Sequence, residues 1–224
     1  MLTLHHLEYS QSFRILWLLE ALGIPYALEL YERDPKTMLA PAAYKALSPL
    51  GTAPVITNGD LVLAETNAIV DYLLDQHPNA ALRPPADAPN RARFLFWYHV
   101  GQGSLTPLLM METLFTVIKQ RVPFFMKPFV SIALGRAGDG FIKPRLDLLL
   151  AKAEADLAEA PWFGGDALSA ADIVLSYSIE SASLKGFLTD SHPNCRAWLQ
   201  RVYEDPAFQA AKAKDGKEQM VLAH

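Results

Sequence analysis

Over the first eighty positions the spacing of apolar residues changes several times, and each change marks an element. Leu2 to Leu7 reads as a short strand. Ser12 to Leu22 reads as a helix, with Ile15, Leu16, Leu18, Leu19 and Leu22 apolar on more than one face and Gly23 as its stop. "YALELY", Tyr26 to Tyr31, alternates as a strand does. Pro41 to Leu47 suits a short helix. Val55, Ile56 and Thr57 are β-branched and lead into Asn58-Gly59, the dipeptide favoured where both central turn residues need positive φ. Asp60 to Ala64 returns as a second strand. Thr66 to His77 then places Ala68, Ile69, Tyr72 and Leu73 at helical spacing and stops before Pro78. The order is β-α-β-α-β-β-α.

Beyond the Pro/Ala-rich run "NAALRPPADAPN" the strand signals disappear. Arg91 to about Val117 forms a long aromatic-rich helical segment, with bends expected around Gly101, Gly103 and Pro107. Lys143 to Ala160 carries one apolar stripe, Leu146, Leu149, Leu150, Ala153 and Leu157. In "LSAADIVLS", Ser169 and Asp172 have capping-box spacing, and Leu168 and Ile173 have that of a hydrophobic staple. The helix "CRAWLQRVYEDPAF" follows. The pattern predicts residues 1–80 as one α/β domain, 81–90 as a linker and 91–224 as an all-helical domain.

Composition narrows the function. The chain has 224 residues, 51% hydrophobic and 20% charged, which suits a globular protein with a sizeable core. A net charge of -4 argues against nucleic acid as a partner. The single cysteine, Cys195, permits neither an internal disulfide nor a Cys-rich metal site. His5 and His6 lie next to each other on a strand, so their side chains point to opposite faces and cannot share a metal. No metal site is expected. "MLTLHHLEYS" lacks the basic and apolar regions of a signal peptide, and the apolar run "VPFFMKPFVSIALG" is interrupted by Lys127 and Pro128. A soluble, cytoplasmic protein without a membrane partner is expected.

Two junctions carry candidate chemistry. Pro54 precedes a strand directly, and Glu65 and Thr66 stand at a helix start, where unpaired N–H groups and the dipole can hold an anion. Read locally, these are a hairpin and an N-cap. "SPLGTAPVI", "LAETNAIVDYL", "WFGGDALSAADIVL" and "HPNCRAWLQRVYEDPAF", in that order and at that spacing, resemble the cytosolic glutathione transferase superfamily over nearly the whole chain. "FRILWLLEALGIPY" and "FIKPRLDLLLAKAEADL" look most similar to a branch shared by bacteria and fungi.

The resemblance implies a thioredoxin-like N-terminal domain and a helical-bundle C-terminal domain. It implies that Pro54 is cis, that Val55 offers its backbone to the cysteinyl part of glutathione, and that Ala53 and Thr52 belong to the same loop. Glu65 would pair with the γ-glutamyl ammonium, and Thr66, where the family usually has serine, would take the adjacent carboxylate. The family commonly has a basic or amide residue where Thr52 stands; Lys45 and Arg33 are weak substitutes for holding the glycyl carboxylate. Ser10 falls on the catalytic serine, with Tyr9 as its rival. No cysteine lies near Ser10, which counts against the reductase branches that form mixed disulfides.

Trp97, Tyr98, Gly101 and Leu105 are the candidate wall of an electrophile pocket. Glutathione would be a cosubstrate, with no other cofactor. Its thiolate would attack a small apolar electrophile or, with peroxidase activity, a hydroperoxide. A non-catalytic binding or regulatory module on the same fold is the alternative. A homodimer is expected, burying an apolar patch that includes Phe94, Leu95, Trp97 and Tyr98, with Arg91 and Arg93 available for salt bridges between subunits.

Overall fold

A computed structural model describes residues 1–78 and 81–217. The first part contains β1 (Thr3–Leu7), α1 (Ser12–Leu22), β2 (Ala27–Tyr31), α2 (Ala42–Lys45), β3 (Val55–Asn58), β4 (Leu61–Ala64) and α3 (Thr66–Gln76). The sheet runs β2-β1-β3-β4. β1 and β2 are parallel, as a helical crossover through α1 requires, and the other two pairings are antiparallel. Every residue of α1 from Ser12 to Leu19 is buried. Its apolar positions go round the helix because α3, α8 and α10 all pack against it.

The hairpin turn sits one residue later than the sequence predicts. Asn58 pairs with Leu61, so the loop is Gly59-Asp60, and within it only Gly59 has positive φ, at 59°. A two-residue loop with glycine first matches the II′ family and not the Asn-Gly turn.

The second part is helical: α4 (Arg91–Val100), α5 (Thr106–Arg121), α6 (Lys127–Ala137), α7 (Lys143–Glu159), α8 (Ala170–Leu184), α9 (Pro193–Glu204) and α10 (Pro206–Asp215). The bend expected near Gly101 is a π-helical stretch, Gly101–Leu105, that joins α4 to α5. A side chain at Gly101 would come within 2.9 Å of Val174, so the glycine lets this stretch lie directly on α8. The final predicted helix is two helices. Pro206 cannot continue α9, and Asp205 opens α10 by accepting the Phe208 N–H at 2.8 Å. Of the Pro/Ala-rich run before α4, Asn79 and Ala80 lie outside the described residues.

One apolar core runs from Leu4 on β1 through α1 and α3 into α8, α9 and α10. The expected dimer patch is corrected by that core. Phe94, Trp97 and Tyr98 are buried within the chain, whereas Leu95 is exposed. Arg91 and Arg93 are also used internally: Arg91 donates to the Pro84 carbonyl, and Arg93 donates to the Phe163 carbonyl and pairs with Glu159.

Candidate functional site

Three backbone junctions meet at one end of the sheet. His5, Val55 and Ala64 stand side by side across β1, β3 and β4. The residues just past these positions are therefore neighbours in space: the β1–α1 turn at Tyr9 and Ser10, the Ala53–Pro54 peptide, which is cis, and Glu65 at the mouth of α3. Tyr9 (φ 49°) and Glu65 (φ 76°) are two of the three non-glycine residues with positive φ among those described. Such conformations cost on the order of 1–3 kcal/mol and cluster where function demands a particular backbone.

Ser10 is buried, and its hydroxyl lies 2.7 Å from both the Leu7 carbonyl and Ser12 Oγ. The Ser12 N–H donates back to Ser10 Oγ at 3.2 Å. Ser12 Oγ continues to His6 Nδ1 at 2.8 Å, and His6 Nε2 meets Asp215 Oδ1 at 2.6 Å. Tyr9 is half-buried, with the Lys217 ammonium 5.5 Å from its ring centre.

Val55 does not occupy the position expected of it. It pairs with His5 on one side and Ala64 on the other, so its backbone groups face strands of the protein itself. Ala53 stands before the cis bond and outside the ladder. Thr52 is exposed. Arg33 is committed elsewhere, donating to the carbonyls of Glu8, Met38 and Tyr9. Lys45 is exposed, its stem lies against Gly51, and it holds no ion pair among the described residues.

Glu65 is exposed and gives α3 no side-chain cap. The first N–H groups of α3 are thus open to a ligand. Thr66 is buried and donates its hydroxyl to Gln11 Oε1 at 3.2 Å. Gln102 Nε2 donates to the same oxygen at 2.8 Å. Gln11 thereby ties the β1–α1 turn to the start of α3 and to the helical part.

Arg14 lies behind Gln11, fully buried. Its guanidinium donates to Gln102 Oε1 at 2.9 Å and Ser178 Oγ at 3.2 Å and stacks over Tyr177, while Nε has no hydrogen-bond partner among the described residues. Burial pulls its pKa down to about 9, so it stays charged at neutral pH. Among the described residues this cation has no carboxylate in ion-pair contact, and it stands just beneath the junction.

Comparison with known proteins gives these features a common setting. Residues 10–76 match the family model described as "Glutathione S-transferase, N-terminal domain", and residues 142–206 match "Glutathione S-transferase, C-terminal domain". A crystal structure of a glutathione S-transferase from Actinobacillus pleuropneumoniae is 30% identical, with a TM-score of 0.75, over 96% of this chain and 93% of that one. The chain belongs to the glutathione S-transferase family. Glutathione S-transferase 3 of Schizosaccharomyces pombe is 27% identical over 96% of this chain and 88% of its own. Glutathione S-transferase 1 of Saccharomyces cerevisiae is 28% identical over 94% and 93%. The family fold, a thioredoxin-like domain followed by a helical domain, is the one described above, and the chain is an enzyme of the glutathione transferase type.

Within this glutathione S-transferase fold, the four residues expected to wall an electrophile pocket are core residues instead. Trp97 donates to Asp156 and packs on Phe163, and Tyr98 donates to the Asn67 carbonyl and stacks on Phe94. Gly101 and Leu105 are buried. A helix apolar on several faces turns its aromatic stripe inward when other helices surround it.

The two histidines do point to different partners: His5 to Tyr31 and Thr57, His6 to Ser12 and Asp215. Gln11, Arg14 and Gln102 were missed by sequence reasoning. Arg14 left a signal, a lone charge within the apolar run Phe13 to Leu19.

Proposed function

We propose that this chain catalyses attack by the glutathione thiolate on an apolar electrophile, with Ser10 as the hydroxyl that stabilises the thiolate. The observation that carries this reading is the convergence of the β1–α1 turn, the Ala53–Pro54 loop and the uncapped start of α3, with Gln11 tying the turn to α3. In this reading Ala53 pairs with the cysteinyl backbone, Glu65 takes the γ-glutamyl ammonium, and the first N–H groups of α3 take its carboxylate. Lys45 or Thr52 reaches toward the glycyl end.

A free thiol has a pKa near 8.5, so making thiolate the major form at neutral pH requires a drop of about two units, about 3 kcal/mol. A hydroxyl donated to a charged sulfur contributes about 1.5–3 kcal/mol. The start of α1 and the buried Arg14 cation add a favourable field. Ser10 must release the Leu7 carbonyl to donate outward. The electrophile, an apolar molecule or a hydroperoxide, lies against the exposed Met110 and Leu114 of α5. These continue the i,i+4 line from Gln102 through Thr106.

Ser10→Ala decides the reading: the conjugation rate should fall at least tenfold while glutathione affinity stays within about twofold. Loss on Tyr9→Phe instead transfers the role to Tyr9. Glutathione binding without turnover by the wild-type protein against a panel of electrophiles and hydroperoxides points to a non-catalytic module.

A further inference from the structure

The chain of hydrogen bonds behind Ser10 exceeds what a turn needs. Four side chains are in line: Ser10 to Ser12 at 2.7 Å, Ser12 to His6 at 2.8 Å, His6 to Asp215 at 2.6 Å. All four are buried, and Asp215 comes from the last turn of α10, 209 residues along from His6. An acidic residue at a helix C-terminus opposes the helix dipole, where a basic one is favoured. As a pin for α10, a buried carboxylate is also a costly choice beside an apolar contact. Its placement calls for another reason.

Counting protons supplies one. The Asp215 carboxylate accepts from His6 Nε2–H, which fixes the tautomer and leaves Nδ1 with its lone pair. Ser12 therefore gives its proton to Nδ1 and accepts from the Leu7 N–H at 3.1 Å. The Ser10 hydroxyl donates to the Leu7 carbonyl at 2.7 Å and has Ser12 Oγ equally close, so once it turns to Ser12 each donor faces an acceptor in one direction, from Ser10 toward His6.

We propose that His6, held by Asp215, is the acceptor for the proton that glutathione loses when its thiol ionises, reached through Ser12 and Ser10. The step balances. The S–H bond breaks and its proton passes to Ser10 Oγ, while the Ser10 proton moves to Ser12 Oγ and the Ser12 proton to His6 Nδ1. A neutral thiol and a neutral imidazole become a thiolate and an imidazolium, with Ser10 O–H donating to sulfur and Asp215 facing the new cation. Of the other charges nearby, Glu8 pairs with Lys217 and Glu20 with Lys214, Arg14 is held by Gln102 and Ser178, and His5 turns away toward Tyr31. His6, Ser12 and Asp215 are positioning residues, since only Ser10 reaches the sulfur. The inference rests on the reading of Ser10 as the thiolate donor.

The test is to titrate enzyme-bound glutathione by the ultraviolet absorbance of its thiolate, alongside steady-state kinetics and calorimetric affinity. His6→Gln and Ser12→Ala should each raise the bound thiol pKa by about one unit, a tenfold loss of thiolate below it, and cut kcat about tenfold with glutathione affinity within twofold. Asp215→Asn preserves shape and should move the same readouts in the same direction, so it serves if His6→Gln does not fold. A wild-type thiol pKa in folded His6→Gln or Asp215→Asn overturns the relay. Ser10→Ala separates the two readings. If it raises the thiol pKa while the His6 and Asp215 variants leave it alone, the relay alone is wrong; if it too leaves the pKa unchanged, the donor assignment itself fails.

Discussion

The indole N–H of Trp198 donates to Asp172 Oδ1 at 2.9 Å, so the carboxylate that opens α8 also holds α9. Asp172 accepts three further hydrogen bonds, from the Phe163 N–H at 2.8 Å and from the N–H and hydroxyl of Ser169 at 3.0 and 2.7 Å. Burial raises its pKa and these donors oppose the rise, with burial the larger effect. Asp172→Ala leaves several buried donors without a partner and should cost about 3–5 kcal/mol, more than a local cap would. Urea unfolding reads this. A stable variant with lost activity would place Asp172 in the active site instead.

Glu65 combines strain with exposure. Glu65→Gln should weaken glutathione binding by about 1.5–3 kcal/mol, roughly ten- to hundredfold in Kd, through loss of one charged hydrogen-bonding partner. Glu65→Gly should lose the same affinity yet raise folding stability by about 1 kcal/mol, because glycine tolerates φ 76°. Calorimetry and denaturation on the two variants check both parts, and unchanged affinity in both removes Glu65 from the site.

Glu154 on α7 caps α9 from outside, accepting the N–H groups of Asn194 at 2.8 Å and Cys195 at 3.0 Å. Burial pushes its carboxyl up, but those donors outweigh the push and hold it below the ordinary 4.5. A carboxyl with a lowered folded-state pKa stabilises fully above the unfolded value and loses that contribution as pH falls through the folded one. Glu154→Gln should therefore cost about 1 kcal/mol at pH 7, and the gap from wild type should close below about pH 4. Equal gaps at both pH values would contradict this.

The protein should be a homodimer, although the surface that argues for it differs from the one expected. α6 buries none of its residues, and Phe124 and Phe129 are 84% and 77% exposed. Monomers rarely leave so much apolar surface open. Sedimentation at micromolar concentration should give about twice the 24.8 kDa chain mass; a value near the single mass refutes the dimer.

Secondary structure was legible where periodicity and punctuation agree. Helix α1 falls on the predicted span, from Ser12 to Leu22, because Gly23 and the apolar run mark its end. The turn at Gly59 was misplaced by one residue because Asn-Gly and Gly-Asp are both turn dipeptides, and strand register chooses between them. The candidate site was legible as three motifs but not as a network. His6 and Asp215 are 209 residues apart, and no spacing rule links them. Trp97 and Tyr98 misled for a related reason: an aromatic stripe looks the same whether it lines a cleft or a core.

Helix α10 has one more consequence. Phe208 packs edge-on against Phe13 and Trp17, and the Trp17 indole donates to Asp205 at 2.8 Å, 188 residues further along the chain. A ribosome adding 5–20 residues per second delivers that cover roughly 10–40 s after Trp17 is made. Throughout that interval the outer side of α1 faces water. Apolar surface left open in this way is what makes a nascent chain prone to aggregate, and here it stays open until α10 arrives.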